Sequence, residues 1–137
     1  MTPTLFREDE TRQWLACVRE DLAAAETLIS LPAPLTKSAL FHCQQAAEKA
    51  MKAFLVWHER SFPKTHDLAT VGRQCISIDA SLETCVKRSY RLTQFAVLSR
   101  YPGEFDEPTP EEARGSLAIA CTLFAAILDR LPEQVRG

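Results

Sequence analysis

Ala39, Cys43, Ala46, Ala50, Phe54 and Trp57 recur every three or four residues, which lines them along one side of an α-helix. Gln44, Gln45, Glu48, Lys49 and Lys52 fall roughly opposite, a polar face that reads as solvated or as a dimer contact, with Glu48 and Lys52 one turn apart. This second helix is expected over about 37–60. An earlier one, about 9–30, is carried by Trp14, Val18, Leu22, Ala25 and Ile29 and is stopped by the Leu-Pro-Ala-Pro stretch at 31–34, because proline lacks an amide donor and disfavours helix in the residue before it.

Ser61-Phe62-Pro63 breaks the chain again, and Thr65 is the expected N-cap of a short helix over about 66–75, with Asp67 in its first turn and Gly72 loosening it. A fourth helix, about 80–99, carries Leu82, Val86, Tyr90, Leu92, Phe95 and Ala96, decorated by Lys87, Arg88, Arg91 and Arg100. A proline- and glycine-marked loop follows. Thr109-Pro110-Glu111-Glu112 then combines a capping threonine, a proline at the first helical position and a glutamate at the third. The last helix, to about residue 131, runs on Ala113, Leu117, Ala120, Phe124, Leu128 and Leu131. No strand pattern occurs. These elements predict an all-α fold: an antiparallel up-and-down four-helix bundle with one additional short helix, a single domain over residues 1–137.

At 137 residues the chain suits one core. Its net charge of −2 gives no global positive field, so any contact with a nucleotide or RNA must be local. Cys17, Cys43, Cys75, Cys85 and Cys121 are scattered without a C-x-x-C pair or a zinc-like spacing with histidine, which predicts reduced, mostly buried thiols and no metal or other cofactor. No stretch reads as a signal peptide or membrane span, so a cytoplasmic location is expected.

Gln44-Gln45-Ala46-Ala47-Glu48-Lys49-Ala50-Met51-Lys52-Ala53, then Pro63-Lys64-Thr65-His66-Asp67-Leu68, then Arg100-Tyr101-Pro102, in that order and spacing, resemble the HEPN (higher eukaryotes and prokaryotes nucleotide-binding) family over nearly the whole chain. The resemblance implies a helical bundle, commonly a homodimer, often the toxin or partner half of a bacterial two-gene module with a minimal nucleotidyltransferase. Many members are metal-independent ribonucleases that use an arginine, a polar residue and, a few positions on, a histidine. Here no histidine follows His66, and the stretch from Arg60 to His66 is the match in spacing.

His66 is the leading candidate, as an imidazole expected at a helix start, where free amides attract phosphate and a ring can exchange a proton. The competing reading is a capping sequence with a satisfied histidine. Arg100 and Tyr101 precede a proline, where they suit a phosphate clamp and a stacking surface, or else an ion pair with Glu48 or Glu104 and a plug at the bundle end. Lys49 and Lys52 are the candidate phosphate contacts on the second helix, and Gln44, Glu48, Asp67 and Glu104 the candidate polar partners. Catalysis, if present, would use His66 with Arg60 or Arg100. Three functions compete: a nucleotide- or RNA-phosphate-binding domain, a metal-independent ribonuclease, and a purely structural partner subunit. His42 and His58 read as partly buried spectators.

Overall fold

The computed structural model describes residues 3–98 and 107–137, and among them there is no strand. The helices are α1 (Pro3–Ile29), α2 (Thr36–Trp57), α3 (Leu68–Ile78), α4 (Glu83–Ser89), α5 (Phe95–Leu98), α6 (Pro110–Asp129) and α7 (Glu133–Arg136). Two 3-10 segments, Ala80–Leu82 and Tyr90–Gln94, flank α4. No helix among the described residues is long and apolar enough to cross a membrane.

α2 is the centre. It packs against α1, α6, α3 and α5, so it has no broad solvent face. Leu40, Cys43, Ala47, Met51, Phe54 and Leu55 are all fully or nearly fully buried on its different sides. All of these but Leu40 join Leu15 and Val18 of α1 and Leu123 and Ile127 of α6, while Ile29, Leu40 and Ala113 form a smaller cluster that Phe95 and Leu117 connect to the first. The polar face expected to be solvated is in fact covered: Gln44 is 0 %, Glu48 4 % and Lys52 8 % exposed. A helix surrounded by neighbours buries polar positions too, and each must then find a partner.

Two boundaries depart from the sequence pattern for identifiable reasons. α3 is capped by Asp67, whose carboxylate accepts from the Ala69 amide at 3.2 Å, while Thr65 Oγ1 accepts from the Asp67 amide at 3.1 Å. Thr65 therefore shapes the turn before the cap, and His66 sits outside the helix. The expected 80–99 helix is broken at Tyr90–Gln94, where 3-10 winding brings residues three apart into register. Tyr90 and Thr93 both serve α3: Thr93 Oγ1 accepts from the Leu68 amide at 3.1 Å, and the Tyr90 ring lies on Gly72. Tertiary contacts with α3 override a helical propensity that nothing in the local sequence interrupts. By contrast Thr109 caps α6 as predicted, accepting from the Glu112 amide at 3.1 Å, with Pro110 in the first turn.

The ends of the elements are tied by arginines. Arg130 Nε reaches Asp79 Oδ2 at 3.1 Å and its other nitrogen reaches Ser81 Oγ at 2.9 Å, fastening the end of α6 to the first 3-10 segment. Arg12 Nε donates to the Gln134 carbonyl at 3.1 Å, and the Arg19 guanidinium donates to that of Arg136, holding α7 on α1.

Gly72 is buried and required rather than loosening: a Cβ there would lie 2.6 Å from Tyr90 Cε1 and 2.7 Å from Val86 Cγ1. The Tyr90 hydroxyl is buried with no hydrogen-bond partner among the described residues. Gly72→Ala is expected to lower stability by about 1–3 kcal/mol in thermal or urea unfolding, despite the better helix propensity of alanine. Tyr90→Phe removes an unsatisfied hydroxyl and is expected to be neutral or stabilising in the same assay.

Candidate polar site around Glu48

Gln44, Glu48 and Lys52 stand one turn apart on α2 and face the turn that leads into α3. Glu48 is the focus. Its Oε2 accepts from Lys52 Nζ at 2.9 Å, and its Oε1 accepts from Gln44 Nε2 at 3.1 Å and lies 2.9 Å from His66 Nδ1. Gln44 Nε2 also reaches the His66 carbonyl at 3.2 Å, and Gln44 Oε1 accepts from Gln45 Nε2 at 2.7 Å. The carboxyl and the backbone of the 58–67 turn are thus held by the same amide.

Burial pushes the Glu48 pKa up, but the hydrogen bonds from Lys52, His66 and Gln44 and the Lys52 charge outweigh it and hold the group below its ordinary 4.5. An ionised carboxylate only accepts, so His66 Nδ1 is the donor. That fixes the tautomer of the neutral ring and leaves Nε2 as its free nitrogen. The His66 side chain is 56 % exposed while that of Glu48 is 5 % exposed: one end of the pair is anchored and the other is open to solvent. Lys52 is enclosed by aromatic faces, its Nζ 5.4 Å from the Phe62 ring and 5.8 Å from Trp14, whose rings meet edge-on.

The candidate residues separate into groups. His66, Glu48, Gln44 and Lys52 converge. Lys49, one turn from the same stretch, belongs elsewhere: its Nζ lies 2.7 Å from Asp21 Oδ2, and His42 Nδ1 lies 2.8 Å from the other Asp21 oxygen. Both lysines named as phosphate contacts are therefore bonded to carboxylates, and Lys52 is buried. Asp67 caps α3 and does not join the Glu48 group. Arg60 is exposed and acts on His58, which burial, then Arg60 and Arg7, hold below 6.5. No contact joins Arg60 to His66 among the described residues. Arg100, Tyr101 and Glu104 lie outside the described residues.

Asp21 is a polar anchor that the sequence reading missed. It is 7 % exposed and falls between Val18 and Ala25 on the apolar side of α1, and a carboxylate on such a stripe is itself the signal. His42 is accordingly a partner of Asp21 rather than a spectator. Among the thiols, Cys43 and Cys75 are buried and pushed up to about 12, by burial first and then by Cys121 and Cys85 respectively, so they stay protonated and inert near neutral pH. Cys17 and Cys121 are exposed, contrary to the expectation of mostly buried cysteines.

The family model described as the HEPN domain matches residues 11–131, which contain every group named above except those at the chain ends. No curated protein and no solved structure matches the chain.

A carboxylate whose pKa is lowered by folding contributes stability that is present above its unfolded value and lost as pH falls through the folded one. Stability measured by urea unfolding is therefore expected to fall as pH drops below about 4.5. Glu48→Gln should flatten that limb, and at pH 7 should cost about 3 kcal/mol or more, because it leaves Lys52 buried without its counter-charge.

Proposed function

The chain belongs to the HEPN domain family, a relation consistent with a nucleotide- or RNA-related role, and from that premise we propose that it binds a nucleotide or nucleic-acid phosphate at the His66 corner. The observation that carries this reading is the Glu48–His66 pair. A buried carboxylate holds Nδ1, while the His66 side chain stays more than half exposed. When that ring is protonated, Nε2–H is a charged donor suited to a phosphate oxygen, with exposed Lys64 two residues away in the same turn. Arg100 and Tyr101 enter the proposal on their sequence motif alone, as a guanidinium clamp and a stacking ring.

A catalytic reading uses the same observation. A histidine oriented through Nδ1 and free at Nε2 is arranged to take a proton from a 2′-hydroxyl, the role of a general base in metal-independent RNA cleavage. The resemblance to toxin modules adds a homodimer and a minimal nucleotidyltransferase partner to the proposal. Exposed Phe6 and Leu35 offer apolar surface for such contacts.

Titration with ATP, GTP and short RNAs is expected to show saturable binding that His66→Ala weakens by about tenfold or more. The melting temperature should change little, since Glu48 keeps Lys52 and Gln44. Binding that is absent, or that is indifferent to the substitution, would sink the proposal. If the catalytic reading holds, His66→Ala should also slow RNA cleavage in chelator-treated buffer by at least about a hundredfold.

A further inference from the structure

Between the Tyr90–Gln94 segment and the start of α6 lies a cleft of about 420 Å³ lined by Arg91, Gln94, Phe95, Glu112, Gly115 and Ser116, among others. The same 3-10 winding that turns Tyr90 and Thr93 toward α3 sets Arg91 and Gln94, also three apart, on this other side.

Several features of this open cleft bear on what it could hold. Gly115 sits inside α6, where glycine is worth about 0.5–1 kcal/mol less than alanine, yet a Cβ at this position would meet nothing within 4 Å. Gly72 is demanded by packing; Gly115 is not, and it is exposed at the cleft's lining, where a larger side chain has room to enter. Ser116 is 6 % exposed and lines the cleft. Arg91 and Glu112 both line the cleft, and neither forms an ion pair there or elsewhere among the described residues.

Opposite charges in one cleft that do not pair suit a ligand with an acceptor edge for the guanidinium and a donor edge for the carboxylate. Phe95 adds a ring face. A phosphate is disfavoured, because Glu111 and Glu112 both stand at the lining. Guanine presents O6 and N7 as adjacent acceptors, the pairing arginine commonly makes. Its N1–H and exocyclic amine present two donors to a carboxylate, and its flat face stacks on an aromatic ring. Adenine has no carbonyl acceptor and no ring N–H donor on that edge. We infer that this cleft takes a guanine base, with Arg91 on O6/N7, Glu112 on the donor edge, Phe95 against the ring and Ser116 as a further polar contact. The inference rests on the nucleotide reading above for its ligand class, but on different residues.

Calorimetric titration with guanosine, which carries no phosphate, separates the two. Guanosine is expected to bind saturably and adenosine roughly tenfold or more weakly than guanosine. Gly115→Leu should fill the cleft and weaken guanosine binding by a similar factor. Gly115→Ala, which fits without a clash, should melt no lower than wild type and confirms that the position tolerates a side chain. Glu112→Gln should erase the preference over adenosine. His66→Ala should leave guanosine binding unchanged. Guanosine that fails to bind, binds no better than adenosine, or binds Gly115→Leu as well as wild type overturns the inference. In those cases phosphate binding that depends on His66 would still stand, and its loss with guanosine binding intact would overturn only that reading.

Discussion

The constraint that organises this molecule is a carboxylate buried on its central helix. Taking Glu48 out of water costs several kcal/mol unless its charge is matched and its lone pairs are used. α2 supplies part of the answer itself, with Gln44 one turn before and Lys52 one turn after. The rest comes from His66, on a turn that has to fold back over the helix to reach it. The covering of the polar side of α2, the position of the 58–67 turn and the entry to α3 are different views of that one requirement. α3 in turn fixes the break in the following helix, since Thr93 and Tyr90 bend inward to serve its first and second turns.

The rough extents of α1, α2 and α6 are legible in the residue pattern because three- and four-residue spacing survives wherever one side of a helix meets a core, whereas the break-up of the 80–99 stretch and the short α7 are not. Thr109-Pro110-Glu111-Glu112 is legible because its cap is local chemistry. The burial of Gln44, Glu48 and Lys52 is not legible, because amphipathic reading assigns polar residues to water and cannot see that neighbours close around α2. The cap of α3 was misassigned by two residues for a similar reason. Thr65 and Asp67 offer competing side-chain oxygens, and only the turn geometry decides which carboxyl or hydroxyl faces the free amides.

The pairing of His66 with Glu48 is not legible in any local spacing, because it joins residues eighteen positions apart through the closure of the 58–67 turn. Asp21 carried a clear sequence signal, an acid on an apolar stripe, and its partners Lys49 and His42 explain why two cations in the QQAAEK region do not belong to one site. α2 thus meets two buried acids, its own Glu48 and Asp21 of α1, each with one lysine and one histidine. Only the Glu48 group has its histidine more than half exposed, which is the difference that makes one a candidate site and the other a strut.

The two bonds that matter most to Glu48 differ in how far apart their partners are in the chain. Lys52 is four residues away and meets the carboxylate as soon as α2 winds, whereas His66 is eighteen residues away and arrives only when a loop closes. The charge is therefore already neutralised before the histidine docks. The His66 ring works as a latch on a finished post: it can swing off at the cost of its hydrogen bond to the carboxylate without exposing a naked ion in the core, while Gln74 on the Ser61 carbonyl and Phe62 edge-on against Trp14 keep the turn itself in place.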